Sequence, residues 1–276
     1  MRLFVLLLAG CVMALAACSK KDARPAVAAP AVEGEAQEAP PPPAAVDFAA
    51  VAAAAIAHPL RPEADRADDE RRRPAAALEF FQAGPGMTVF EIEAGSGWYT
   101  ELLAHTVGEN GAVVMQNPEG FRASVGEQID ARLAGGRLPN VRQSLSNFDA
   151  LDAAGGSVDV ATWVQGPHEL YYTPSEGVTL GDPARSYAEI YRILKPGGAF
   201  AVIDHSAVAG APESAGNELH RVDRAIVIAM AEAAGFSLEA ESAFLANPDD
   251  PRTVTVFDPA IRGKTDQFAL RFRKPL

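Results

Sequence analysis

Three histidines stand in polar segments that follow apolar runs. They are His168 in Gln165-Gly166-Pro167-His168-Glu169-Leu170, His205 in Asp204-His205-Ser206, and His220 in Leu219-His220-Arg221-Val222-Asp223. Imidazole titrates nearest to neutral pH, so it is the natural group for proton transfer. The same set with Asp204 can also ligand a divalent metal, but no dense pair such as His-x-x-x-His is present, and no metal is assigned. Asp204 beside His205 has the form of a dyad, yet no serine sits in a Gly-x-Ser-x-Gly elbow. Arg221 offers a planar fork for a carboxylate or phosphate, and with Asp204 it is assigned to the substrate. A catalytic or substrate-facing role, metal ligation and plain structural pinning all stay open for the three histidines. Metal-assisted hydrolysis rests on them alone.

A second group is contiguous: Val89-Phe90-Glu91-Ile92-Glu93-Ala94-Gly95-Ser96-Gly97-Trp98-Tyr99-Thr100. An apolar strand from Thr88 to Ile92 runs through a glycine turn into a helix reaching about Val107. Glu91 at the strand end can accept hydrogen bonds. Gly95 and Gly97 let the backbone approach a ligand at a helix N-terminus, where a carboxylate is favoured.

The elements that must position these groups alternate. A helix from about Val46 to Ala57 precedes a charged stretch from Arg61 to Arg73, and Pro74 opens another helix. Further strands are expected at Ala112–Met115, Val141–Leu145, Val158–Val164 and Ala199–Ile203, and a helix at about Leu219–Ala234. Phe236–Ser242 and Phe268–Phe272 are expected to form a terminal antiparallel pair. Alternation of this kind implies an α/β fold, Rossmann-like and doubly wound, with a mostly parallel sheet. Loops after the first, third, fourth and fifth strands should then open at one edge, the carboxyl edge, where ligands of such sheets bind. Asn147, Phe148, Gln165 and His168 are placed there, with Phe148 either flanking an adenine or belonging to the core.

The glycine stretch resembles the first motif of the S-adenosylmethionine-dependent methyltransferases, and Tyr187-Ala188-Glu189-Ile190-Tyr191-Arg192-Ile193-Leu194-Lys195-Pro196-Gly197-Gly198 resembles the helix and turn before their fifth strand. The blocks around Asp204-His205-Ser206, Leu219 to Asp223, Asn247-Pro248 and Val256 to Asp266 resemble a group of exported, largely uncharacterised predicted methyltransferases. The resemblance covers roughly Pro59 to Pro275. It implies the class I methyltransferase fold, a terminal antiparallel strand, and S-adenosyl-L-methionine as cofactor. Glu91, Ala94, Gly95, Gly97, Tyr99, Asn117, Asn147, Phe148 and Gln165 would hold that cofactor, and His168, His205 and His220 would face the methyl acceptor, a small molecule or envelope component. Two positions depart from the family pattern. Glu93 stands where glycine is usual, and Gln116-Asn117-Pro118 replaces an acidic residue that would bind ribose hydroxyls. Both lean towards a second reading, a non-catalytic envelope protein that binds another ligand in the same crevice.

The N-terminal residues set the expected compartment. Arg2, the apolar run Leu3 to Ala17, and Leu15-Ala16-Ala17-Cys18 resemble a signal peptide (1–17) ending in a bacterial lipobox. Cys18 would be the lipidated N-terminus, and Ser19 after it suggests outer-membrane delivery, with the protein facing the periplasm. Residues 18–45, rich in Ala, Pro, Glu and Val, read as a tether that cannot bury enough surface to order itself. Residues 46–276 are the expected domain. The other cysteine, Cys11, lies within the signal peptide, so neither disulfides nor thiol catalysis are expected of the mature chain. A formal charge of −12 argues against nucleic acid as a partner and leaves oligomeric state undetermined.

Overall fold

Apolar runs rich in Val, Ile, Phe and Ala cannot leave either face of a sheet in water, so helices must cover both. The structure, a computed structural model, describes residues 45–276; the expected signal peptide, Cys18 and nearly all of the tether lie outside the described residues. Four helices come first: α1 (Phe48–Ile56), α2 (Glu63–Arg66), α3 (Asp69–Arg72) and α4 (Pro74–Phe81). Asp47 starts α1 by accepting from the Ala50 N–H at 3.0 Å, and Pro74 starts α4 where no N–H is required. There follow β1 (Thr88–Ile92), α5 (Trp98–Val107), β2 (Ala112–Asn117), α6 (Arg122–Leu133), β3 (Val141–Leu145) and β4 (Val158–Val164). The chain then forms α7 (Pro183–Ile193), β5 (Leu194–His205), α8 (Ala215–Leu219), α9 (Arg224–Ala233), β6 (Ser237–Ser242) and β7 (Gln267–Arg273).

The seven strands run in the order β3-β2-β1-β4-β5-β7-β6. All neighbouring pairs are parallel except those made by β7, which is antiparallel to both β5 and β6. This is the expected α/β sheet. Strand alternation splits the core in two: Phe90, Trp163 and Phe200 pack on one face, while Val89, Val160 and Ile203 pack with Leu102 and Leu103 of α5 on the other. From β1 the chain goes to β2 on one side and later to β4 on the other. Such a reversal of strand order leaves a crevice outside the carboxyl ends.

Two expectations need correction. Lys195-Pro196-Gly197-Gly198 does not precede the fifth strand but lies inside it as an irregularity, because the pairing skips from Val158↔Leu194 to Val160↔Ala199. The helix expected from Leu219 begins only at Arg224, where the Asp223 carboxylate accepts from the Ala225 N–H at 3.0 Å. Leu219 ends the short α8, His220 turns left-handed with φ 52°, and Val222 forms a parallel bridge with Ser206. Among the described residues no helix is long and apolar enough to cross a membrane.

Candidate functional site

The turn from β1 to α5 is built around left-handed backbone. Gly95 has φ 57° and Gly97, which precedes α5 and brings no capping side chain, has φ 87°. Nothing lies within 4 Å of where a Cβ on Gly95 would stand, so the floor above it is open. At Gly97 the opposite holds, since a Cβ would stand 2.8 Å from both Met115 and Arg132. Arg132 Nε donates to the Ser96 carbonyl at 2.8 Å, and its guanidinium pairs with Asp65 at 2.7 Å and Glu101 at 2.9 Å. Helices α2 and α3 lie against the start of α5: Trp98 Nε1 donates to the Asp65 carbonyl at 2.9 Å, and the Tyr99 hydroxyl to that of Arg72 at 3.2 Å. Glu91 is buried beneath and accepts from the Thr100 hydroxyl. Burial lifts its carboxyl to about 8 against that hydrogen bond, so near neutral pH it is mostly protonated.

Glu93, the departure from the family pattern, turns its carboxyl towards β4. Trp163 Nε1 donates to Glu93 Oε2 at 2.9 Å, and a Cβ on Gly166 would collide with both groups. Burial, then the nearby Glu169 carboxylate, push its pKa well above the ordinary carboxylate value. Tucked against Trp163, the Glu93 carboxyl points towards β4 and away from the helix N-terminus. With the open floor at Gly95, the turn fits the carboxylate end of a methionine-derived cofactor.

Beyond Glu93 lies a cluster drawn from three segments. His168 Nδ1 meets Asp204 Oδ1 at 2.7 Å, and Asp204 also accepts from the backbone N–H of His168 at 2.8 Å and of His205 at 2.7 Å. This leaves His168 Nε2 facing Glu169 Oε1 at 3.3 Å, and His220 Nδ1 lies 3.4 Å from the same oxygen. Burial disfavours charge on His168, but the Asp204 carboxylate and then Glu169 outweigh it and lift the imidazole to about 10. Burial likewise opposes ionisation of Glu169, yet the adjoining His168 and His220 bring its carboxyl down to about 2. Glu169 Oε2 and His220 Nδ1 are buried without a hydrogen-bond partner among the described residues. Tyr172 and Phe257 flank His220, with ring centroids at 4.7 and 4.8 Å, and Phe257 is half exposed. Glu93, Gln165 and His220 all hold positive φ without being glycine (54°, 59° and 52°), and strain of this kind gathers where neighbouring structure over-determines the backbone.

The structure reassigns several residues. Asn117 does not wait for a ribose: its amide closes a two-bond clasp on Gly95, accepting from the N–H at 2.8 Å and donating to the carbonyl at 3.1 Å. Phe148 is core, 1 % exposed, its ring centroid 4.9 Å from Trp163, so it flanks no adenine. Tyr99 is buried against Phe81 and the Arg72 carbonyl. Asp204 is fully buried and orients His168 instead of touching a substrate. Arg221 is equally buried, spent on Asp250 at 2.9 Å and on the carbonyls of Val254 and Ser206, and has no face for a ligand. His205 Nδ1 pairs with Thr265 Oγ1 at 2.7 Å, and burial pushes the imidazole down to about 3, too low for a general base near neutrality. Ala94 and Gln165 are tied by backbone bonds to Gln116 and Ile203, while Asn147 is exposed at the end of β3. Arg73, Arg262 and Lys264 line a cleft of about 620 Å³ together with Asp68, Glu70 and Arg71, the last paired with Asp68 at 2.7 Å. Glu169 is not legible in the sequence, because an acidic residue after a histidine is unremarkable until His220 arrives from 51 positions away.

Comparison with known proteins bears on what this edge is for. Residues 75–221, over half of the chain, match the model of the ubiE/COQ5 methyltransferase family. A ubiquinone/menaquinone biosynthesis C-methyltransferase UbiE from Hydrogenovibrio crunogenus is 32% identical over 132 residues, covering 48% of this chain and 47% of the relative. The UbiE of Legionella pneumophila is 30% identical over 129 residues, again 47% of each. The chain thus spans about half the length of the curated relatives it matches. Among solved structures, a SAM-dependent methyltransferase from Aquifex aeolicus superposes with a TM-score of 0.56 at 20% identity, over 77% of this chain and 95% of the other. That likeness concerns the fold. The matched span holds the glycine turn, the strands β1 to β5 and the three histidines of the carboxyl edge, and the chain belongs to the ubiE/COQ5 methyltransferase family.

Proposed function

We propose that the chain transfers a methyl group from S-adenosylmethionine to a small molecule or envelope component, with the cofactor on the β1–α5 turn and the acceptor against Glu169 and His220. Glu93 is the observation that carries this reading. Its backbone belongs to the glycine turn and its carboxyl faces the His168–Glu169 cluster, so the two halves of the edge adjoin. When bound, the cofactor supplies an electrophilic methyl group on a sulfonium sulfur. Gly95 leaves room for it, the N-terminus of α5 favours its carboxylate, Glu91 is held mostly neutral, and the Glu93 carboxyl is turned to Trp163 with its pKa raised by burial. On the acceptor side Asp204 holds the His168 ring, and Glu169 Oε2 offers an unpaired acceptor oxygen for a hydroxyl or amine of the incoming molecule. Positioning of this kind lowers a two-substrate barrier by several kcal/mol without other chemistry. The relatives' name, a C-methyltransferase of ubiquinone and menaquinone biosynthesis, makes carbon the first acceptor atom to test.

The proposal includes an envelope location through a lipidated Cys18, supported by the apolar run and lipobox-like Leu15-Ala16-Ala17-Cys18. Mass spectrometry of the mature chain tests it: an acylated N-terminal Cys18, lost in Cys18→Ala, is the expected result, and any other N-terminus contradicts it. Calorimetry of the full chain with S-adenosylmethionine and S-adenosylhomocysteine tests the catalytic reading. Binding of both at micromolar concentrations is expected. Failure of both to bind would leave the crevice to another ligand.

A further inference from the structure

We propose that His168 Nε2, Glu169 and His220 Nδ1 form a binding site for one divalent transition-metal ion, with Zn²⁺ the best-matched of the common ions. The inference does not rest on the methyl-transfer reading, since it follows from the donor atoms alone. One donor from each residue lies within 4.8 Å of the other two. The separations of 3.3 Å and 3.4 Å to Glu169 Oε1 are long for good N–H···O hydrogen bonds. They equal the edge of a tetrahedral coordination sphere, about 3.3 Å for zinc bonds of about 2.0–2.1 Å. His220 Nδ1 is buried and unpaired among the described residues, and an ion bound there would give it a partner. Two imidazoles with one carboxylate suit zinc better than calcium or magnesium, which prefer oxygen ligands alone.

The surroundings behave as an outer shell should. Asp204, fixed by two backbone N–H groups, takes the Nδ1 side of His168 and so aims Nε2 inwards, the carboxylate–histidine arrangement that orients metal-binding imidazoles, and an ion there would displace the Nε2 proton to solvent. His220 is held at φ 52° and ψ 50° and is followed in the chain by Arg221, which is fully buried in its pair with Asp250. Three protein donors leave a fourth position, and the flanking Tyr172 and half-exposed Phe257 make that position reachable by a ligand with an apolar ring.

The test uses the full chain carrying Cys11→Ser and Cys18→Ser, so that no thiol competes, stripped with chelator and titrated with Zn²⁺ by calorimetry. Co²⁺ is titrated in parallel, and its visible absorption reports a tetrahedral nitrogen and oxygen environment. One equivalent per chain is expected, with His220→Ala and Glu169→Gln each weakening binding by about a hundredfold and Asp204→Asn by roughly 10–100-fold. His58→Ala, at the stacked His58–His105 pair, should change nothing. His220 and Glu169 are both partly exposed, so their variants are expected to fold; circular dichroism checks this before titration. The proposal is overturned if the parent chain binds no Zn²⁺ at 100-fold molar excess, or if folded His220→Ala and Glu169→Gln chains bind it as the parent does.

Discussion

The β1–α5 turn and the His168–Glu169–His220 cluster share one sheet edge but are held by different means. Around the turn the polar side chains of neighbouring elements close on the protein itself: Asn117 clasps Gly95, Gln116 accepts from the Glu93 N–H at 2.9 Å, and Arg132 bridges Ser96, Asp65 and Glu101. In the cluster, by contrast, the scaffold is satisfied and the tips are not. Asp204, Arg221 and Asp250 have their partners, while Glu169 Oε2 and His220 Nδ1 lack them. A ligand on the turn side meets backbone and open space; one on the cluster side meets charged side chains awaiting a partner. The difference matches a division between a bound cofactor, gripped through main chain, and a reacting partner, gripped through side chains.

The largest expected effect tests whether the cluster's scaffold is structural. Arg221→Ala leaves the buried Asp250 without its counter-charge, held only by the backbone N–H groups of Arg252 and Asp266, a change that costs about 3 kcal/mol. Denaturant unfolding should show that loss, and Arg221→Ala combined with Asp250→Ala should recover part of it. A loss below about 1 kcal/mol would mean that the Arg221–Asp250 pair does not hold the scaffold. Next in size is Gly95→Val. It meets no neighbour but forces a β-branched residue to positive φ, so a few kcal/mol of strain and at least a hundredfold loss of cofactor affinity are expected by calorimetry. A folded Gly95→Val chain with parental affinity would remove the turn from the site.

The turn and the cluster differ in how they could be read from residues alone. Gly95 and Gly97 lie two apart, and the strands Thr88–Ile92, Val141–Leu145 and Val158–Val164 fall where short β-branched and aromatic runs place them. Local spacing carries all of this. Glu169 and His220 are neighbours only because β4 and β5 lie side by side, and no periodicity reports that. The helix expected at Leu219 fails for the same reason: the segment's apolar spacing continues, but a non-local bridge from Val222 to Ser206 holds it out of helix until Asp223. Asn117 was legible as a polar residue at the right strand end. Its engagement with Gly95 was not, because an amide can bond backbone or hydroxyl equally well.

Opposite pH behaviour on the two sides of the turn gives a finer test. Glu101 has its folded pKa held at about 2, against opposing burial, by His105, Arg137 and Arg132. Its stabilisation is therefore complete above about 4.5 and is lost as pH falls towards 2. Glu91 has the reverse sign. Its folded pKa of about 8 makes ionisation unfavourable, so stability declines as pH rises from about 4.5 to 8. Thermal unfolding of Glu91→Gln should lose the alkaline decline and keep the acid one, while Glu101→Gln should flatten the acid side. Parallel curves for Glu91→Gln and the parent would contradict the assignment. The smallest effect belongs to Asn117→Ala, which removes two hydrogen bonds from the Gly95 backbone. It should cost roughly 1–2 kcal/mol of stability and weaken cofactor binding only through loosening of the turn.

Hydrogen exchange of the full chain with and without S-adenosylhomocysteine tests most directly whether the glycine turn is the cofactor's seat. The account predicts slowed exchange in peptides spanning Glu93 to Thr100, with little change over Pro167 to Tyr172. Protection that falls on the Arg71–Lys264 cleft, or on no segment while the ligand is bound, would contradict it.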